Sequence, residues 1–591
     1  MKYNDFGNPQ VATLPRHLKQ YIVEQHYERY TAIDHAVWRY VMRQNYSYLK
    51  HVAYYPYIKG LERAGLSIEY IPDLQTMNDS LATIGWGAVA VDGFIPPAIF
   101  MEFQEYKVLV IAADIRQLNH IEYTPTPDII HESAGHAPII ADSDYNNYLS
   151  YFGAIGAKAM FSSKDYDLYE AIRKLSVLKE LPNSDEREIK DAQDHLDFCF
   201  KNLGEPSEMA LLSRLHWWSV EYGLIGSLEN PKIYGAGLLS SIGESVSCMQ
   251  PEVKKLWYNI DTAKQAYDIT KAQPQLFVTP TFQNLIDVLE LFAGSMAFRR
   301  GGLEGINKAI DCKNVATAVY SSGLQVSGIF SCAKSDEKTT VTFIKTSSPS
   351  ALSYKDKQLE GHGKDYHKDG FSSPAGKLKN QEKPLEDFDE TELKKIGVFT
   401  GNKTRLAFES GIEVSGKVIS VLQKEQKNLL ISFSDCTVSD AATKEIYFQP
   451  EWGIYDMAVG EKIISVFNGH ADKDNYEITF IAANDAPKIV YDDKTIALQK
   501  IYQQIRDVRN KKSPGKSLLI CWESLRQNHT EDWLGPMEIL EILLQENLFE
   551  QQANEIKLFL ENKAQNEKAF TELICDGLDL ISKHKIKMIV H

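Results

Sequence analysis

The period of the apolar residues changes twice along this chain, and that pattern limits its fold more than any single motif does. Up to residue 333, apolar and aromatic side chains recur at spacings of three and four. HAVWRYVMRQNYSYLKHVAYYPYIKGLERAG (35–65), EMALLSRLHWWSVEYGLIG (208–226) and QLFVTPTFQNLIDVLELFAG (275–294) are examples, and they predict a mainly α domain. Residues 398–485 instead alternate apolar with polar positions, in IEVSGKVISVL, NLLISFSDCTV and KIISVFNGH, which predicts a small antiparallel β domain. From 486 to 591 the helical period returns, in TIALQKIYQQIRDVRNKK and PMEILEILLQENLFEQQANEIKLFLENKA, and predicts a helical C-terminal region. Residues 334–397 are rich in Lys, Ser, Asp and Gly, with little periodicity, and are expected to form an extended connection. Its His362 and His367 are ligand candidates, set against the plainer reading of a surface loop.

The 591 residues are 43% hydrophobic and 24% charged, enough to build several cores. A formal charge of -16 opposes general attraction to nucleic acid or to an anionic membrane, so small molecules or proteins are the expected partners. No apolar run approaches the roughly 20 residues that span a bilayer, and the opening MKYNDFGNPQVATLPRHLKQY lacks the apolar core of a secretory signal, so cytoplasm is the expected location. The cysteines are scattered without a CxxC pair, as suits reduced packing residues.

The strongest chemical signal is TPTPDIIHESAGHAPII, residues 124–140. Its histidines, His131 and His136, are five apart, whereas the zinc-peptidase pattern HExxH sets them four apart on one helical face. On a regular helix five steps leave the side chains about 140° apart. Gly135 and Pro138 flank the second histidine and supply the means to widen the turn until both imidazoles face one metal. Two imidazoles are an incomplete site. Glu221, between Trp217, Trp218, Val220 and Tyr222, is a carboxylate that is expensive to bury unpaired, and metal ligation would offset that cost. Two histidines and a carboxylate describe the non-haem Fe(II) triad. Taken singly, each histidine also reads as an ordinary hydrogen-bonding residue, and Glu221 as the partner of an arginine.

PDIIHESAGHAP, followed by WWSVEYGL and YGAGLLSSIGE, resembles the pterin-dependent aromatic amino acid hydroxylases in motif, order and approximate spacing, from about Trp38 to about Gly328. The resemblance implies that family's catalytic fold, with Fe(II) and a tetrahydropterin as cofactors, and hydroxylation of a free aromatic amino acid by O2, phenylalanine to tyrosine foremost and tyrosine or tryptophan as alternatives. It makes His131, His136 and Glu221 the iron ligands and Ser240 the residue that steadies His131. It makes Glu132 an organiser of water and pterin near the metal. Arg116 becomes the clamp on the substrate α-carboxylate, with Asp128 orienting it, a task suited to a guanidinium fork. Thr124, Pro127, Trp217 and Gly237 line the amino-acid pocket, and Gly93, Phe94, Ile95 and Phe100 flank the pterin. Pro96 and Pro97 depart from the polar residues of animal members. The layout, without an N-terminal regulatory domain and with a long C-terminal extension, resembles long bacterial members.

Two rivals accompany this reading. A zinc hydrolase would use Glu132 as base on a metal-bound water, although the five-residue spacing counts against it. A non-catalytic aromatic amino-acid sensor would keep the pocket and signal through the C-terminal modules.

Overall fold

The structure is a computed structural model that describes residues 7–55, 57–93, 95–122, 127–180, 184–267, 272–476 and 491–589. Helix Ala32–Val52 lies at its centre. Thr31 and Asp34 start it with a reciprocal capping box, each side chain accepting from the other's backbone N–H. It buries Val37, Trp38, Val41, Met42 and Leu49 in a core shared with helices Leu74–Ala82, Ser143–Gly156, Glu208–His216 and Phe282–Ala293. This is the mainly α region that the spacing predicts.

Two small sheets inside it carry the segments that reach the site. Strands Gly87–Val91 and Val108–Ala112 pair in parallel and are buried throughout, hence their unbroken apolar sequence. Helix Pro97–Glu105 makes the crossover between them, and Pro97 is well placed at its first turn, where the missing N–H costs nothing. Because the strands are parallel, the chain leaves both at the same edge, which brings the segment from Gly93 alongside that leading to Arg116. A second sheet orders strands Pro231–Ile233, Leu224–Gly226, Gln275–Thr279 and Lys254–Trp257, and leads directly from Glu221 to the helix bearing Ser240.

The β structure begins well before residue 398. Val315–Tyr320 and Leu324–Ser335 pair antiparallel and, with Ala351–Tyr354, Lys357–Gln358, Val341–Thr346 and Ser372–Pro374, build a seven-stranded sheet that Ile463–Asn468 completes beside Val315–Tyr320. The extended connection expected over 334–397 is therefore mostly folded, and the mainly α region ends near Cys312 rather than at 333. These strands are short, joined by tight turns, and bury only a few large side chains, among them Phe343, Ile344, Leu352 and Phe371. A polar composition with so few apolar positions hides them. Residues 403–458 add a five-stranded antiparallel sheet around the long hairpin Ile412–Lys424 and Lys427–Asp440.

The C-terminal helices, Asp493–Arg509 through Thr571–Ile589, pack on helix Ala32–Val52 and share its core. Arg39 is the bolt: its Nε donates to Glu69 at 2.6 Å, and Nη1 donates to Glu538 at 2.7 Å and Glu541 at 2.5 Å, with Arg509 donating to Glu538 at 2.8 Å. Removing Arg39 leaves two buried carboxylates short of a cation. Arg39→Met is thus expected to destabilise the docked helices by about 3–5 kcal/mol, read as a lowered urea midpoint. Burial opposes ionisation of Glu538, yet Arg39 and Arg509 hold its carboxyl down at about 2, against an ordinary 4.5. Stability from this group is full above pH 4.5 and fades as pH falls towards 2, so the docking weakens in acid. Among the described residues no helix is long and apolar enough to cross a membrane, and all seven cysteines are unpaired.

Candidate metal centre and amino-acid pocket

The backbone widens at both places where ligands are needed. His131–His136 is one π-helical turn, set between helical Ile130 and the short helix Ala137–Ile140. Trp217–Glu221 is a second, closed by Tyr222 N–H donating to the Trp217 carbonyl five residues back at 2.8 Å. The first turn brings the His131 and His136 rings to 5.1 Å between centroids, edge to face. The second aims Glu221 between them, with Oε2 at 3.3 Å from His131 Nε2 and Oε1 at 3.4 Å from His136 Nε2. One ligand atom from each of the three lies within 4.8 Å of the others.

Ser240 fixes the first imidazole. Its hydroxyl donates to the Ala236 carbonyl at 2.8 Å, so at 3.0 Å it accepts from His131 Nδ1–H and leaves a lone pair on Nε2. Gly135 makes this approach possible, because a Cβ there would lie 2.5 Å from the Ala236 carbonyl oxygen. Gly135→Ala is expected to cost about 1–3 kcal/mol by overpacking and to weaken metal retention by pushing Ser240 off His131. A thermal melt paired with metal analysis reads both effects.

Arg116 and Asp128 form a buried pair, 4% and 1% exposed. Arg116 Nε and Nη2 donate to the two Asp128 oxygens at 2.8 and 2.9 Å, and Nη1 donates to the Ile121 carbonyl at 3.3 Å. Of five guanidinium N–H groups, one on each Nη stays free of a partner among the described residues, a fork suited to a carboxylate. Asp128 also accepts from His131 N–H at 3.0 Å, so one carboxylate positions both the arginine and the first histidine of the cluster. Burial opposes its ionisation, but Arg116 and these N–H groups hold its carboxyl below the ordinary value.

Pro127 precedes Asp128 directly, and Gly237 packs on the Glu221 carbonyl and the Tyr222 ring. Thr124 and Phe94 lie outside the described residues. Trp217 is stacked on both faces, against Tyr267 at 4.4 Å and Tyr222 at 4.6 Å, so it offers a ring edge to any occupant. Gly93, in the left-handed region at φ 57°, and Ile95 lead into the helix bearing Phe100. Phe100 meets His216 edge to face at 5.8 Å, which ties this segment to the second π-turn. Sequence reasoning passed over His216, Tyr222 and Tyr267. His216 Nδ1 lies 3.8 Å from Glu221 Oε1, and burial pushes its imidazole down to about 4, so it sits neutral beside the triad. Five residues before Glu221, it repeats the spacing of the first histidine pair, the one signal that could have found it.

Burial disfavours charge on Glu221, but His136 and His131 hold its carboxyl well below the carboxylate range, while Glu221 in turn raises His131 to about 9 against burial. Burial pushes the Glu132 carboxyl up, and its Oε2 has no hydrogen-bond partner. Both ring nitrogens of His136 are likewise buried without a partner. Orphaned nitrogen and oxygen donors converging on one carboxylate fit a bound divalent metal of the imidazole-binding type.

A family profile described as biopterin-dependent aromatic amino acid hydroxylase matches residues 19–175 and 190–300. The chain is 27% identical over 316 residues to the phenylalanine-4-hydroxylase of Chromobacterium violaceum, covering 50% of this chain and 92% of that protein. It is also 27% identical over 283 residues to that of Ralstonia nicotianae, covering 46% and 76%. Among solved structures, the iron- and phenylalanine-bound enzyme from Chromobacterium violaceum aligns at 24% identity over 48% of this chain and 90% of that one, with a TM-score of 0.36.

Proposed function

Because a biopterin-dependent aromatic amino acid hydroxylase profile matches residues 19–175 and 190–300, we propose that this chain hydroxylates phenylalanine to tyrosine with Fe(II), a tetrahydropterin and O2. The observation that carries the reading is the convergence of His131, His136 and Glu221 on one point, with Arg116 held in the same wall by Asp128. When bound, ferrous iron and a reduced pterin supply the electrons that activate O2, chemistry that no side chain offers.

The protein's own part is placement. His131, His136 and Glu221 hold the metal, and Ser240, hydrogen-bonded to His131 Nδ1, turns Nε2 towards it. The free Nη1 and Nη2 N–H groups of Arg116 take the substrate α-carboxylate, and Asp128 fixes the distance from that carboxylate to the metal. Trp217, held rigid by Tyr222 and Tyr267, walls the ring pocket with Pro127 and Gly237. Gly93, Ile95 and Phe100 flank the pterin. Glu132 Oε2, buried and unpartnered, hydrogen-bonds water or pterin beside the metal.

The full chain, loaded with Fe(II) and given tetrahydropterin and O2, is expected to form tyrosine from phenylalanine faster than it hydroxylates tyrosine or tryptophan. Faster turnover of either rival would overturn the substrate assignment. Absence of any hydroxylated product would overturn the activity.

A further inference from the structure

A second cluster of metal-binding side chains lies in the β region, on residues with no part in the site above. His362 and His367 sit in the loop between strands Lys357–Gln358 and Ser372–Pro374. Backbone bonds strap that loop to the seven-stranded sheet: Leu352 N–H donates to the His362 carbonyl at 2.9 Å and Ser350 N–H to the His367 carbonyl at 3.0 Å. Gly361 and Gly370, at φ 79° and 105°, supply the left-handed turns that fold it back. The two rings stack at 19°, with His362 Nδ1 3.2 Å from His367 Nε2.

The third member comes from the other sheet. Asp456, on strand Tyr455–Ala458, is 6% exposed and points Oδ2 towards His362 Nδ1 at 4.0 Å. Ser432 donates to its Oδ1 at 2.5 Å and sets the carboxylate's orientation. One donor atom from each of His362, His367 and Asp456 lies within 4.8 Å of the others.

Two readings compete for this arrangement. One proton shared between the imidazoles explains the 3.2 Å contact. It does not explain Asp456, a buried carboxylate for which, among the described residues, no Lys or Arg lies within 4.0 Å. A buried carboxylate without a cation is costly, and a divalent ion supplies the missing charge. Ligand nitrogens on a tetrahedral zinc, with bonds of about 2.0–2.1 Å, stand about 3.3–3.4 Å apart, close to the spacing present. The oriented carboxylate and the pinned loop are what a preformed site requires.

We propose that His362, His367 and Asp456 bind a second divalent metal ion of the zinc class, with water in the remaining position, which clamps the 359–371 loop of the seven-stranded sheet to strand Tyr455–Ala458 of the five-stranded one. Two imidazoles and a carboxylate suit zinc, and the role is structural, because the cluster shares no residue with the amino-acid pocket.

The test uses the full chain stripped with chelator and titrated with Co(II), read by metal analysis and by the visible absorption of imidazole-bound cobalt. Wild type is expected to take up about two equivalents, Glu221→Ala about one, and Glu221→Ala with His367→Gln none. His367→Gln alone is expected to hydroxylate phenylalanine at the wild-type rate, and added to Glu221→Ala it is expected to abolish the rise in melting temperature that Zn(II) gives the Glu221→Ala chain. If Glu221→Ala retains no cobalt, or if adding His367→Gln leaves its uptake unchanged, the second site is overturned. The titration separates the two assignments: cobalt uptake by the chain that does not depend on Glu221 belongs to the β-region cluster, whatever becomes of the hydroxylase activity.

Discussion

Exchanging Glu221 for alanine is expected to lower Fe(II) retention at the catalytic centre by at least about 100-fold and tyrosine formation with it. Substitutions that only touch a metal ligand already cost about 10–100-fold, and Glu221 is itself the group on which the two imidazoles converge, at 3.3 and 3.4 Å. Its removal leaves half-buried His131 and buried His136 facing each other with no anion between them. Iron analysis after dialysis, alongside initial rates at saturating Fe(II), reads the effect. Full iron occupancy in the variant would remove Glu221 from the centre.

Arg116→Ala is expected to raise KM for phenylalanine by about 100-fold, within the 2–5 kcal/mol that truncating one partner of a buried charged pair costs. The change falls mainly on KM because the contact is with the carboxylate of the bound amino acid rather than with the reacting ring. Iron content is expected to stay near wild type, since Asp128 still accepts from His131 N–H. Arg116→Lys keeps the charge but loses the fork, and is expected to recover only part of the loss. Unchanged kinetics in both variants would place the substrate carboxylate elsewhere.

The centre was legible in the sequence to an unusual depth because its geometry is written in spacing. A five-residue step from His131 to His136 is incompatible with a shared ligand on a straight helix, and the chain answers with a π-turn. Gly135, read there as a device for bending, does something else as well: it lets the Ala236 carbonyl come close enough for Ser240 to reach His131. His216 was legible only through its five-residue step to Glu221, the same step that separates His131 from His136. Its place near Glu221 follows from a second π-turn that no residue announces.

The C-terminal half shows where pattern reading fails. Residues 334–397 look like a connection because their strands are short and polar, with apolar positions too sparse to set a period, yet Phe343, Leu352 and Phe371 are buried between sheets. The C-terminal helices are legible as helices, but their attachment is not. Arg39 and Glu538 are 499 positions apart, and nothing local in either stretch points to the other. Long-range ion pairs of this kind appear only once the fold is known.

The central claim is that this chain places an oxygen atom from O2 on the ring of phenylalanine. The most direct measurement supplies the iron-loaded chain with phenylalanine, tetrahydropterin and 18O-labelled dioxygen, and weighs the tyrosine formed. Tyrosine carrying one 18O atom is expected, with formation abolished when the pterin is omitted. Tyrosine without the label, or labelled product that forms equally well without pterin, would contradict it.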